Sequence, residues 1–385
     1  VDFSRNTYSH DDNRSAGGLL RIFDFAMLLV TMVAAVLLVC AYAARWVHPA
    51  DAWFFAFAGL AAPILYVANI VLALYWVVRW KRRALIPLVV LLIGAGWISL
   101  FFKPTLRKTY HEPDRRRSSV IMSYNVAGFL TESGDELTST LDSIAAFITR
   151  TRPDILCLQE FQSITADQKP RIDSLLGMPY NRVNYKITNS AGGGWGLAVY
   201  SNYRIVGSGV VDFENTTNSA QWVDVLLRPG DTVRVFNCHL QTTSLDRSDR
   251  EYIMNQEFLA NDGEVSREER VRSIVGKLRR NFIVRAAQAD SLAPLIHAAT
   301  PVRRVVVCGD FNDTPMSYVY RTMRGRLADT FVERGTGAPS TYQGMFNLFR
   351  IDYILHSRDI ETLGYSSPAG ISYSDHKPVI ATVRF

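Results

Sequence analysis

Three uncharged apolar runs, residues 25–44, 53–78 and 84–102, crowd the first 102 residues of this 385-residue chain. Each is long enough to cross a hydrocarbon core about 30 Å thick. The direct reading is three transmembrane helices behind a polar tail at 1–24. A cleaved signal peptide is the competing account, because Ala41-Tyr42-Ala43 resembles a cleavage site. A signal's apolar region spans only about 7–15 residues, however, and the two later runs would still need a bilayer. Pro63 and Asn69 within the second run are tolerable where neighbouring helices cover them. Trp53, Trp76, Trp80 and Trp97 stand at or near run ends, as interfacial anchors do.

Short loops set the expected orientation. The first loop carries Arg45 alone, the second Arg79, Lys81, Arg82 and Arg83. This places the second loop in the cytoplasm and everything after residue 102 outside it. Lys103, Arg107, Lys108 and Arg115 to Arg117 then fall on the outer side, against the rule, although long domains translocate with less regard to charge. Residues 103–117 read as a basic linker. The whole chain is +6, but residues 1–117 hold 14 Lys and Arg against 7 Asp and Glu, and the remainder 28 against 29. The basic excess therefore belongs to the apolar third, and the rest has no overall positive charge to attract a phosphate backbone.

From residue 118 the pattern becomes short apolar runs between polar turns. Strands are predicted at 119–124, 155–158, 197–201, 222–227, 233–239, 305–309, 351–356 and 379–384. Leu137, Leu141, Ile144, Ala145 and Ile148 repeat at a helical period, and 245–299 reads as mostly helical with a break at Asn261-Asp262-Gly263. Helices between strands indicate a layered α/β domain over 118–385. Four cysteines, Cys40, Cys157, Cys238 and Cys308, form no C-x-x-C pair, which excludes a zinc ribbon or thioredoxin-type centre. Strand alternation turns Cys238 away from the side chain of His239, and the last three read as small core residues.

Polar groups end many of these strands: Asn125 after IMSY, Glu160 after LCLQ, His239 in FNCHLQ, Asp310 and Asn312 in VVVCGDFND, Asp352 in RIDYIL, and Asp375-His376 in SYSDHKPV. Singly, each has a plain explanation as a turn former, a solvated carboxylate, a core histidine or, for Asp352, an ion-pair partner of Arg350. Together, SYNV, LQE, NCHLQ, GDFND, RIDYIL and SDHKPV resemble, in order, the signatures of the endonuclease/exonuclease/phosphatase superfamily. These metal-dependent phosphoesterases include DNases, abasic-site endonucleases, neutral sphingomyelinases and inositol-polyphosphate phosphatases. The resemblance covers essentially all of 118–385. Over the whole chain it extends to bacterial membrane members with three spans followed by a hydrolase domain, which implies a multi-pass inner-membrane protein, and the loop charges put its catalytic domain on the extracytoplasmic side.

The family fold implied is a four-layer α/β sandwich, two packed sheets flanked by helices, here preceded by three transmembrane helices. The implied cofactor is Mg²⁺ or Mn²⁺, with Glu160 a hard oxygen ligand and Asn125 and Asp375 completing the shell. Asp310 would align or deprotonate the attacking water, and Asn312 would hold it or a phosphate oxygen. His376, oriented by Asp352, would contact the phosphate or share the base role, and His239 would hydrogen-bond the phosphate. Asn237 and Gln241 are candidate substrate-binding residues, Arg285 and Gln288 polar supports, and Gly192 to Trp195 a rim loop or plain turn. No G-x-S-x-G elbow argues for a serine nucleophile.

Fold and mechanism leave the phosphoester open. Tethering at a lipid bilayer favours a lipid headgroup or small phosphoester. The alternative is nucleic acid gripped by a basic stretch at Arg267, Arg270, Arg272, Lys277, Arg279 and Arg280, and a scaffold that has lost activity is a third reading. No protein partner is inferable.

Overall fold

A computed structural model describes residues 9–104, 118–133, 136–243, 245, 247–254 and 267–385. The greater part of the expected linker, 105–117, and the expected break at Asn261-Asp262-Gly263 lie outside the described residues. The first apolar run is absorbed into α1 (Ser9–Ala43). Its Leu20–Ala43 stretch is, among the described residues, the one helix long and apolar enough to cross a membrane. The second run breaks into α2 (Phe54–Leu60) and α3 (Ala62–Val78), bent by 69°, and the pair counts as a second candidate span only if taken as one. The third run makes only α4 (Leu85–Ile93) and a 3-10 turn, Ala95–Leu100.

Of the three expected spanning helices, the described residues supply one by length and apolarity, or two with the bent pair. The nine residues of α4 rise only about 14 Å. The causes are local. Gly59 and Pro63 flank the first break, with Pro63 in the opening turn of α3, where its missing N–H is harmless. Gly94 follows α4, and the phenols of Tyr42 and Tyr66 donate to the Val90 and Gly94 carbonyls there, at 3.0 and 2.8 Å, beside the backbone bonds that those carbonyls accept from Gly94 and Trp97. A Cβ at Gly94 would lie 2.1 Å from the Tyr42 hydroxyl, so glycine is what admits these caps. The outer faces of α1, α3 and α4 keep large apolar side chains in the open, including Val36, Leu74 and Leu92.

The remaining elements begin with β1 (Ser119–Asn125), the hairpin β2 (Leu130–Ser133) and β3 (Glu136–Ser139), α5 (Leu141–Thr151), β4 (Ile155–Thr165) and α6 (Gln168–Leu176). The hairpin β5 (Tyr180–Thr188) and β6 (Gly192–Ser201) follows, then, in the second sheet, the meander β7 (Arg204–Asp212), β8 (Ser219–Arg228) and β9 (Asp231–His239). Then come α7 (Arg247–Met254), α8 (Arg267–Ala299), β10 (Arg304–Asp310), α9 (Tyr318–Arg324), β11 (Ala328–Asp329), α10 (Thr330–Arg334), β12 (Asp352–His356), β13 (Glu361–Ser366) and β14 (Val379–Arg384). Leu137, expected on the helix of α5, belongs to β3, and Gly192 to Trp195 open strand β6 instead of forming a loop.

Two six-stranded mixed sheets result, ordered β13-β14-β1-β4-β6-β5 and β11-β12-β10-β9-β8-β7. Each has one parallel pair near its centre, β1 with β4 and β9 with β10. Alternation sorts the faces. Ile155, Cys157, Val235, Val306, Cys308 and Val379 fill the space between the sheets. Leu156 and Leu158 turn outward under α5 and α6, while Phe236, Cys238 and Val307 turn outward under α8 and α9. This is the expected four-layer sandwich, and Cys157, Cys238 and Cys308 are buried free thiols within it.

The N-terminal helices pack directly onto the sandwich. Trp97, Leu100 and Phe101 join the core beneath α8 and α9. Arg45 Nη1 donates to the Pro315 carbonyl at 2.6 Å, Thr314 Oγ1 to the Gly59 carbonyl at 3.4 Å, and Arg350 Nη2 to the Leu100 carbonyl at 3.2 Å. Lys103, expected at the start of a solvated tether, instead bridges Gly337 through paired backbone hydrogen bonds of 2.9 and 2.7 Å.

Candidate active site

The two parallel strand pairs end at the same rim, and their terminal residues meet there. Asn125 closes β1, and its Nδ2 donates to Glu160 Oε1 at 3.1 Å and to Asp310 Oδ2 at 3.0 Å, joining one sheet to the other. Glu160 reaches that position through a register shift between Leu158 and Phe161, where its φ is +52°. A bulge of this kind re-aims one side chain out of the strand's alternation. His239 and Asp310 end β9 and β10 as direct neighbours in the ladder. His239 Nε2 stands 3.6 Å from Glu160 Oε1 and 3.9 Å from Asp310 Oδ2.

Asp352 opens β12 opposite Asp310, and its Oδ2 lies 3.0 Å from His376 Nδ1. The other ring nitrogen of His376 is 3.6 Å from Asp310 Oδ2. Thr341 and Ser374 hold these groups in place: Thr341 Oγ1 accepts from the Ile351 and Asp352 amides, and Ser374 Oγ accepts from the His376 amide while donating to the Asn125 carbonyl. Sequence reasoning missed both. Ser374 at least is the first residue of SDH, whereas nothing around Thr341 marks it.

Burial sets the charges. The Glu160 carboxyl is pushed up to about 7 by burial, with Asp375 adding to the effect and the Asn125 amide opposing it. Burial also raises Asp310, helped by the charge of Asp352, and it lowers His239 to about 4, which keeps that ring neutral near pH 7. For His376 burial works the other way from its neighbours: it favours the neutral ring, but Asp352 and Asp310 outweigh it and hold the imidazolium well above its ordinary value.

Asn312, with φ +52°, caps its own turn, its amide donating to Asp310 Oδ1 at 2.7 Å and its Nδ2 to the Leu240 carbonyl at 3.1 Å. Two expected substrate contacts are not brought to the pocket. Asn237 is buried between the sheets, accepting from Gln159 Nε2 at 2.6 Å and donating to the Leu158 and Ala198 carbonyls. Gln241 spends its Oε1 on Thr216 at 2.7 Å and its backbone on Gln288 and Arg285. Arg285 is fully buried and ties α8 to Asp313 at 3.4 Å and to Thr243 Oγ1 at 3.3 Å. Of the basic stretch on α8, Lys277 pairs with Asp249, Arg270 donates to the Ser248 carbonyl and stacks on Tyr252, and Arg279 lies over Trp53.

A family model described as "Endonuclease/Exonuclease/phosphatase family" matches residues 122–376, the span that supplies every residue of this rim. The chain belongs to that family. Endonuclease/exonuclease/phosphatase proteins are metal-dependent phosphoester hydrolases. A second model, a domain of unknown function, matches residues 21–101. No curated protein matches the chain. Among solved structures, an endonuclease/exonuclease/phosphatase from Bacteroides vulgatus is 18% identical with a TM-score of 0.50, covering 70% of this chain and 99% of that one. One from Beutenbergia cavernae is 19% identical with a TM-score of 0.49, over 70% and 72%. The human Nocturnin catalytic domain with bound sulfate is 18% identical with a TM-score of 0.48, over 71% and 96%.

The family's divalent cation suits the residues at this rim. Glu160, Asp310, Asp352 and Asp375 converge here with two imidazoles, a set rich in the hard oxygen donors that such a cation takes, and buried His239 Nε2 has no hydrogen-bond partner. Asp310, Asp352 and His376 lie close enough to hold an ion. Their spacing equally describes an imidazolium shared between two carboxylates, and a protonated ring cannot ligate.

The cavity over this floor has a different character on its other side. Its wall includes Leu60 from α2, Ile253 from α7, Leu278 and Phe282 from α8, and Met345 and Phe349 from the loop before β12. Met345, Phe346 and Asn347 in that loop all have φ between +50° and +63°, a left-handed turn that costs about 1–2 kcal/mol per non-glycine residue. Asn347 Oδ1 anchors it, accepting from Lys377 Nζ at 2.6 Å and Ser340 Oγ at 2.7 Å.

Proposed function

We propose that this protein is a membrane-anchored, divalent-cation-dependent phosphoesterase that hydrolyses a lipid headgroup or small phosphoester. The observation that carries the reading is the Asn125 amide, which links Glu160 of one sheet to Asp310 of the other beside the His376–Asp352 pair. Phosphoesters resist attack because they are anionic, and a site for their hydrolysis needs a cation, a base and donors to the phosphoryl oxygens.

Asn125, Glu160 and Asp375 are the residues that would hold Mg²⁺ or Mn²⁺, which when bound supplies Lewis-acid neutralisation of phosphoryl charge. Asp310 orients the attacking water and accepts its proton, with the Asn312 turn fixing the carboxylate. The water oxygen bonds phosphorus, the bond from phosphorus to the leaving oxygen breaks, and solvent protonates that oxygen. His376, kept cationic by its carboxylates, donates to a phosphoryl oxygen. His239, kept neutral by burial, offers an uncharged N–H to another.

The anchoring reading is supported by Leu20–Ala43 and by the exposed apolar faces of α1, α3 and α4. The loop charges favour the catalytic part on the extracytoplasmic side, and protease protection in sealed vesicles tests that. For catalysis, full-length protein and Glu160→Ala are compared for Mn²⁺ binding and metal-dependent hydrolysis of phosphoesters. Loss of both in the variant is expected, and unchanged metal affinity and turnover would sink the reading. Metal-dependent nicking of plasmid DNA would replace the lipid or small phosphoester by nucleic acid.

A further inference from the structure

We infer that the substrate is an amphiphilic phosphoester, a lipid whose hydrocarbon chain lies against a wall that the N-terminal helices complete. The inference rests on the phosphoesterase reading above and names the substrate class of the same site. The cavity is two-sided. Glu160, Asp310, Asn312, Asp375 and His376 form one side, and Leu60, Ile253, Leu278, Phe282, Met345 and Phe349 the other. A soluble sugar phosphate would leave that second side without a partner. A phosphate joined to an alkyl chain satisfies both.

The wall depends on close contact between the helical unit and the catalytic loop. Gly59 sits so near the loop after β10 that a Cβ there would lie 2.6 Å from the Met316 carbonyl oxygen. Arg45 and the Gly59 carbonyl hold the same loop through the Pro315 carbonyl and Thr314 Oγ1, and Phe57 packs edge-on against Phe282 at 5.2 Å between ring centroids. The last turn of α2 thereby delivers Leu60 to the cavity. Its other end carries Phe54, 52% exposed, and α2 runs directly into α3, whose outward residues are apolar.

The size of the cavity agrees. Its volume is about 170 Å³, below the roughly 300–1,000 Å³ of a pocket that encloses a whole small molecule. It accommodates a phosphoryl group and the first part of a chain, with the remainder outside. Neighbours of the lining residues continue the apolar surface outward: Met254 beside Ile253, and Phe346 and Leu348 between Met345 and Phe349, are all substantially exposed. The left-handed turn at 345–347 is what holds Phe346 out. Large apolar groups kept in the open by a strained backbone mark a contact surface, and here it borders a helical unit built for hydrocarbon.

The experiment uses the full chain with Mg²⁺ in nanodiscs of phosphorus-free glycolipid. The substrates are methyl, butyl and octyl 4-nitrophenyl phosphodiesters and the matching monoalkyl phosphates, with Leu60→Asn and Leu278→Asn as variants. Both positions are only half-buried, and near-ultraviolet circular dichroism confirms that each variant is folded. The octyl substrate is expected to exceed the methyl substrate in kcat/KM by about thirtyfold or more, the effect of covering two or three methylenes. Each variant should lower that ratio at least tenfold. Partition into the bilayer is common to all three proteins, so the change in ratio reports the wall. A ratio near one, or a ratio that neither variant alters, overturns the amphiphile and leaves a phosphoesterase for small soluble esters. Hydrolysis of neither series, with wild type no better than Glu160→Ala, overturns the phosphoesterase reading and the inference with it.

Discussion

His376 and Asp352 form a buried pair in which Nδ1 lies 3.0 Å from Oδ2, and the remaining Asp352 oxygen has no hydrogen-bond partner. The carboxylate holds the ring in one orientation and one charge state, with Nε2 directed past Asp310. Asp352→Asn keeps the shape and a hydrogen-bond acceptor but removes the charge. The expected result is a fall in kcat of about 10²- to 10⁴-fold, the usual range for a general acid or base partner, with metal affinity unchanged. A kcat within threefold of wild type would remove this pair from the mechanism.

Arg350 and Asp329 are a second buried pair, at 2.9 Å, which the Tyr320 hydroxyl joins by donating to Asp329 at 2.6 Å. Arg350 also donates to the Leu100 carbonyl and so fastens the N-terminal helices to the sandwich. The ion-pair partner of Arg350 is thus Asp329, which leaves Asp352 to His376. Arg350→Met leaves the Asp329 carboxylate buried without its counterion, which costs about 3–5 kcal/mol. Chemical unfolding in nanodiscs should register that loss, and a variant as stable as wild type would mean that the pair is no better than neutral.

How much of this was legible follows from where the information lies. Asn125, Glu160, His239 and Asp310 could be read because they end or interrupt apolar strand runs whose parallel pairing aligns those ends, and Asp352 and His376 because they open or just precede antiparallel strands that start at the same rim. Strands β5 and β7 escaped because edge strands expose alternate residues and lack a continuous apolar run. Three apolar runs did not become three long helices because hydropathy is blind to Gly59, Pro63 and Gly94, which stand at helix breaks inside uncharged stretches. The apolar wall had no linear signal at all: Leu60, Leu278 and Met345 meet only in three dimensions.

Gly309, the residue before Asp310, has φ +147°, and a Cβ there would lie 2.0 Å from the Cys238 carbonyl oxygen. Glycine therefore lets β9 and β10 run side by side at the point where they present His239 and Asp310. Gly309→Ala combines backbone strain with a steric clash against main chain, which has no flexible end to move aside. A loss of about 3 kcal/mol or more is expected, together with loss of turnover. The check is thermal unfolding alongside activity, and an alanine variant with wild-type values for both would refute the close approach.

Asp224 on β8 accepts from Arg234 Nε and Nη2 at 2.8 and 2.7 Å and from Arg303 Nη1 at 2.9 Å. Burial would raise its carboxyl, but the hydrogen bonds and charges of Arg234 and Arg303 outweigh that and hold it below the usual range. A depressed folded-state pKa means that the pair's stabilisation is fully present above the unfolded value, about 3.9, and is lost as pH falls through the lower folded value. Asp224→Asn removes that titration. Between pH 6 and pH 3 the unfolding midpoint of wild type should fall more steeply than that of the variant, which is already weaker at pH 6. Parallel curves for the two proteins would show that Asp224 has the same pKa folded and unfolded.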